Sequence, residues 1–140
     1  MRALLAAFVL LTAPALAAGP LRCPPHIQLT PQVAITPPAG FTARALPEYH
    51  WLTGADLFDG NPDERVQLKP DRIGQTDRWD LDPARAHTLA CLYEGTDMTL
   101  TAALPLGTRR CTAATRAENS RGVRGHRVVT DRKVTEVVCQ

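Results

Sequence analysis

Four cysteines, Cys23, Cys91, Cys111 and Cys139, constrain this chain more than any other feature, because all four follow a segment built like an export signal. Residues 1–17 read MRALLAAFVLLTAPALA. One positive charge at Arg2 precedes an apolar run from Ala3 to Leu11. Pro14 then breaks the run ahead of the small-x-small triplet Ala15-Leu16-Ala17. That order predicts a secretory signal peptide cleaved near Ala17, leaving residues 18–140 as one mature domain. The apolar run is too short to cross a bilayer of roughly 30 Å, so no membrane span is expected. Cys23 follows Arg22 and not a small residue, which argues against lipid attachment there. The expected compartment is the bacterial periplasm or the exterior. An even cysteine count in an oxidising compartment predicts two structural disulfides, each worth roughly 3–5 kcal/mol by loop closure. No C-x-x-C spacing points instead to zinc or redox chemistry.

The body of the chain alternates apolar and polar residues at period two between frequent turn residues. Ile27, Leu29, Val33 and Ile35 share one parity, with Pro31 interrupting them. A second short strand is expected over Phe41 to Leu46, and Asp59-Gly60-Asn61-Pro62 reads as a turn after the segment His50 to Phe58. Val66 and Leu68, and then Trp79 and Leu81, mark two brief strands. Leu89, Cys91 and Tyr93 share a face before the turn Glu94-Gly95-Thr96-Asp97, and Met98, Leu100, Ala102 and Leu104 alternate on the return. Cys111 to Thr115 is expected as a third strand of that meander, with β-like runs at Val128 to Thr130 and Val134 to Cys139. Helix signals are confined to one turn at Asp82-Pro83-Ala84-Arg85-Ala86 and one or two turns within 112–119. The expected fold is mainly β: a single antiparallel sheet or sandwich-like domain with Pro-rich loops.

Disulfide connectivity stays open among three pairings. Cys23–Cys139 with Cys91–Cys111 would close the chain end to end. Yet a regular meander would hold Cys91 and Cys111 on outer strands about 9.6 Å apart, beyond disulfide reach. Either the third run leaves the sheet or Cys91 pairs elsewhere.

No catalytic, cofactor or metal site is assigned. The carboxylates Asp56, Asp59, Asp63 and Glu64 cluster at a turn, where turn-forming and solvated roles account for them; the Pro in DGNPDE breaks a calcium-loop pattern. His26, His50, His87 and His126 lack metal-ligand spacing. Ser120, the single serine, stands outside a nucleophile motif. Charge is unevenly distributed: residues 41–104 carry 6 basic and 11 acidic side chains, and residues 105–140 carry 8 and 3. The Gly-rich run holding Arg121, Arg124 and Arg127 is the candidate partner-binding element, suited to an acidic envelope protein or toxin. No aromatic accompanies it, and the total charge of +2 gives no reason to expect nucleic-acid binding.

An ordered set of short motifs spans most of the mature chain: Cys23-Pro24, Leu57-Phe58-Asp59-Gly60-x-Pro62-x-Glu64, Leu68-x-Pro70-Asp71, Trp79-Asp80-Leu81, Cys91-x-Tyr93-x-x-Thr96 and Leu100-x-x-x-Leu104-Pro105, then Cys111 and Cys139. The set resembles a family of small exported proteins of proteobacteria without an assigned activity. His87-Thr88 stands where that family commonly has Trp. The resemblance implies export, a β-rich core and structural cysteines, and an association with secretion-system effector and immunity genes. Phe58, Trp79 and Tyr93 are expected in the core, with Leu100 and Leu104 facing it from one side. The functional expectation is a non-enzymatic periplasmic binding or inhibitor protein, in its specific form an immunity protein against an envelope-attacking toxin. The alternatives are a structural or accessory envelope protein and a small secreted hydrolase whose carboxylates or histidines converge in space.

Overall fold

A computed structural model describes residues 19–32, 36–119 and 130–140. The predicted signal segment therefore lies outside the described residues. Ten strands follow in chain order: β1 (Leu21–Arg22), β2 (His26–Leu29), β3 (Glu48–Asp59), β4 (Gln67–Leu68), β5 (Asp71–Ile73), β6 (Thr76–Asp80), β7 (His87–Tyr93), β8 (Thr99–Ala103), β9 (Arg110–Asn119) and β10 (Thr130–Cys139). A single 3-10 turn, Pro62–Glu64, is capped by Asn61, whose side chain accepts from the Asp63 amide at 3.1 Å.

The strands form two antiparallel sheets. The first runs β1-β10-β9-β6-β5; the second runs β2-β3-β7-β8, with β4 also pairing along β3. Their inner faces bury one core: Trp79, Cys111, Ala113, Val134 and Val137 from the first sheet meet Leu52, Leu57, Leu89, Cys91 and Tyr93 from the second. Leu57, Leu89, Cys111 and Val137 are almost wholly removed from water. Such alternation, with one face packed and one solvated, is what antiparallel sheets require of their sequences. Two hydrogen bonds tie the layers further: the Trp79 indole Nε1 donates to the Leu68 carbonyl at 3.0 Å, and the Tyr93 hydroxyl donates to the Pro24 carbonyl at 3.1 Å. Burial pushes the Tyr93 phenol above its ordinary range.

All four cysteines are paired, and the connectivity is Cys23–Cys91 and Cys111–Cys139. The end-to-end pairing is thus replaced, for both reasons the meander geometry allows. The strand carrying Cys111 leaves the meander for the other sheet, where β9 lies between β6 and β10. Cys111 and Cys139 become direct cross-strand partners with Cα atoms 4.1 Å apart. Arg110 and Gln140 exchange both backbone bonds beside them, so the cysteines occupy the close, non-hydrogen-bonded position of the ladder. Cys91 reaches Cys23, just after β1, across the core, with Cα atoms 5.8 Å apart; this bond joins the two sheets.

Two extra residues interrupt the alternation. In β3 the register shifts between Leu52 and Gly54, where Thr53 has no counterpart beside Tyr93 and Leu92; in β10 it shifts at Thr135. Each is a β-bulge, which inverts the phase of the strand beyond it. Gly54 follows the first bulge because a Cβ there would lie 3.1 Å from Leu92 Cδ1.

Several sequence expectations are corrected. Residues 41–47 form no strand, and Phe41 and Leu46 are exposed. The 112–119 segment is strand and not helix, since pairing with β6 and β10 satisfies its backbone. Asp82–Ala86 is a non-helical turn, in which Asp82 Oδ1 accepts from the Ala84 amide at 3.0 Å. Leu100 is exposed because β8 is the edge strand, while Leu104 is buried just beyond it.

Candidate partner-docking surface

The outward faces of the two sheets differ in chemistry. On the first sheet, outward positions carry Arg22, Asp71, Arg78, Asp80, Arg110, Arg116 and Glu136, and five of these join in ion pairs. Asp80 pairs with Arg110 at 2.8 Å and with Arg78 at 2.9 Å, and Arg22 pairs with Glu136. The Arg110 guanidinium holds the Asp80 carboxyl below the usual carboxylate range.

The second sheet presents three cross-strand rows instead, and two cross-strand pairs beyond them. One contains Phe58, Thr88 and Ala103, with Gln67 beside Phe58; the next Asp56, Ala90 and Thr101; the third Gly54, Leu92 and Thr99. Beyond the β3 bulge the same face carries Trp51 opposite His26, and Tyr49 opposite Gln28. The His26 ring lies 5.1 Å from that of Trp51 and 5.6 Å from that of Tyr49, so three rings form one surface cluster. Tyr49 and Trp51 remain 57% and 51% exposed, unusual for residues whose apolar bodies gain so much from burial.

Asp56 is the one charged side chain in these rows. It accepts from Gln67 Nε2 at 2.7 Å and makes no ion pair among the described residues. Its neighbours across the sheet are Ala90 and Thr101, and partial burial pushes its carboxyl above the ordinary range despite the Gln67 bond. Phe58, expected in the core, faces this surface and is half-buried, because the phase of β3 there puts Leu57 and Asp59 inward.

The structure separates the other candidate residues. The carboxylate cluster splits: Asp56 points outward, Asp63 and Glu64 are exposed in the 3-10 turn, and Asp59 turns inward against His87. Asp59 Oδ2 lies 2.5 Å from the Arg85 guanidinium and its Oδ1 lies 3.7 Å from His87 Nδ1. His87 Nε2 meets the Asp82 carbonyl at 3.1 Å, and its Nδ1 is buried without a hydrogen-bond partner in the described structure. Asp59 and His87 thus meet, but neither lines a described cavity. A cavity of about 310 Å³ is lined by Gly19–Leu21, Pro105–Thr108 and Cys139–Gln140. His50 sits nine residues away along β3, about 30 Å at strand rise. There its Nδ1 contacts the Glu94 carbonyl at 2.8 Å, beside Gly95, whose positive φ of 69° closes the β7–β8 turn. The convergence of Asp59, His50 and His87 that a hydrolase would need does not occur. Among the described residues no three metal-ligating side chains are grouped.

Arg121, Arg124, Arg127, His126 and Ser120 lie outside the described residues. Part of the charge asymmetry that favoured an acidic partner is internal to the fold. Arg110 pairs with Asp80, and Lys133 pairs with Glu94 at 2.5 Å, each joining the basic segment to the acidic one.

Two antiparallel sheets, two disulfides and one aromatic-bearing outer face define a small disulfide-stapled β domain suited to docking another protein. Its family is that of the Type VI secretion system Tli immunity protein, to which this chain belongs: the family model matches residues 45–140, from before β3 through β10. Neither a curated protein nor a solved structure matches the chain. The matched region carries every row of the outer face except the β2 residues His26 and Gln28. No helix among the described residues is long and apolar enough to cross a membrane.

Proposed function

We propose that this chain acts in the periplasm as a non-enzymatic immunity protein that neutralises its cognate toxin by stoichiometric binding. Membership of the immunity family over residues 45–140 carries this reading. The fold supports it: a disulfide-stapled β domain offers a rigid surface that loses little freedom on binding. The two buried disulfides fit an oxidising compartment, and residues 1–17 have the composition of the signal that would deliver the chain there. Asp59 and His87, the one buried acid–imidazole contact described, lie in the domain interior, and Arg85 holds the carboxylate, an arrangement that locks a turn.

The test co-expresses the chain with a Type VI effector from the same genome, the effector being directed to the periplasm. Growth should be restored by the full chain and not by a version lacking residues 1–17, which would remain in the cytoplasm. The purified pair should form a stable complex. Failure of the exported chain to protect or to bind would refute immunity. Equal protection by the version lacking residues 1–17 would refute the compartment.

A further inference from the structure

The geometry points to the outer face of the β2–β3–β7–β8 sheet as the toxin-docking surface, fitted to a protein that sets an arginine or lysine within an apolar patch. Tyr49 and Trp51 would be its anchors and Asp56 the acceptor of that cation. This assignment rests on the immunity reading and goes beyond it by naming the surface and the chemistry of the partner.

Three observations carry it. First, the two outer faces have opposite character. The first sheet's face is densely charged, and Arg78–Asp80–Arg110 and Arg22–Glu136 pair within it. The second sheet's face carries Phe58, Ala90, Leu92, Thr99, Thr101, Ala103, Trp51 and Tyr49 with a single charge. Protein interfaces are depleted of charge at their centre and enriched in Tyr and Trp, which dominate their energetics.

Second, that single charge is unanswered. Asp56 sits between Ala90 and the β4 flank with only the Gln67 amide as a polar partner. Arg65 and Lys69, the cations flanking β4, form no ion pair with it. A carboxylate partly desolvated by its own fold gains most from a cation delivered by another molecule, because bidentate pairing in a drying interface is stronger than in water. Arginine suits the position best, since its planar fork can engage the carboxylate while its face lies on Phe58.

Third, the face is continuous. Tyr49 to Phe58 covers nine strand rises, about 30 Å, two strands wide at the aromatic end and three strands wide at the Asp56 end.

The experiment measures binding of the purified effector that the chain protects against to the mature, oxidised chain by interferometry, with melting curves for each variant. Trp51→Ala should weaken binding at least about 30-fold, and Tyr49→Ala about 10-fold, without a large change in melting temperature. Asp56→Asn keeps an oxygen for Gln67 and should leave the domain at least as stable, yet weaken binding about 10-fold and flatten its salt dependence. Thr101→Arg should block binding, whereas Thr112→Arg, at the matching place on the other sheet, should not. Unchanged affinity for Trp51→Ala, Asp56→Asn and Thr101→Arg, with wild type binding tightly, would overturn the surface assignment and leave the immunity reading intact. Loss of binding by Thr112→Arg alone would move the site to the first sheet. If Trp51→Ala instead converts a dimer to a monomer in light scattering and leaves effector binding unchanged, the face is a contact between two copies and the assignment is wrong. If wild type does not bind the effector, the immunity reading fails and the surface falls with it.

Discussion

Replacing each cysteine pair by alanines should rank the two disulfides by the loops they close. Cys23–Cys91 closes a sequence separation of 68 and Cys111–Cys139 one of 28. In the chain-entropy model these correspond to about 4.4 and about 3.6 kcal/mol at 25 °C. All four sulfurs are buried, at 7% exposure or less, so the packing lost is similar for both pairs and the difference of about 0.8 kcal/mol reports on the loops. The loops are disjoint in sequence, and the losses should therefore add to about 8 kcal/mol, comparable with the whole stability of a domain this size. The quadruple variant, like the fully reduced protein, should be largely unfolded at 37 °C. Equilibrium unfolding in guanidinium chloride, with each single-pair variant kept oxidised at its remaining bond, supplies the numbers. A loss below about 1 kcal/mol for either pair, or a greater loss for Cys111–Cys139, would refute the reasoning. Peptide mapping of the native protein should yield a peptide joining Cys23 to Cys91 and none joining Cys23 to Cys139.

Two further expectations follow from named contacts. Trp79→Phe keeps most of the buried ring but removes the indole donor to Leu68, and should cost about 1–2 kcal/mol in chemical denaturation; an unchanged midpoint would show that water replaces the bond. Asp80 has its folded pKa lowered from 3.8, chiefly by the Arg110 hydrogen bond, so its contribution is present above about pH 4 and is lost as pH falls through the folded value. Asp80→Asn should therefore melt below wild type at pH 7, with the gap closing in acid; a gap independent of pH would remove the ion pair as its cause.

Much of the second sheet's meander was legible, because Leu89, Cys91 and Tyr93 alternate without interruption and a Gly-containing turn follows. The strands of the first sheet were legible one by one but not as a sheet. Thr112–Asn119, rich in Ala and Thr, satisfies both helical and extended patterns, and only pairing with β6 and β10 decides between them. The disulfide pattern depended on that same decision. Of the docking face, Phe58 reads as a core residue because it is one of the chain's few aromatics, and the bulge at Thr53 that accompanies its outward phase is announced by no local residue type. Tyr49 and Trp51 carried a signal that alternation alone could have revealed: they flank His50, and Leu52 beyond it is buried, so one parity holds core residues and the other large rings. The Asp59–His87 contact needed the cross-strand register, which fixes residues 28 positions apart.

The phase inversion at Thr53 also bears on how this surface can change. Trp51 and Leu57 are six residues apart, and strict alternation would send both into the core or both into solvent. The inserted residue is counted in that interval, so the two face opposite sides. Thr53 should accordingly tolerate many side chains, since no partner residue stands opposite it. Its deletion would leave Leu52 opposite Tyr93 and Gly54 opposite Leu92 as adjacent pairs of a regular ladder, with Tyr49 and Trp51 still outward and Leu52 still inward. The extra residue thus supplies local twist and bend and not the facing of either end, and a one-residue change of length is absorbed there.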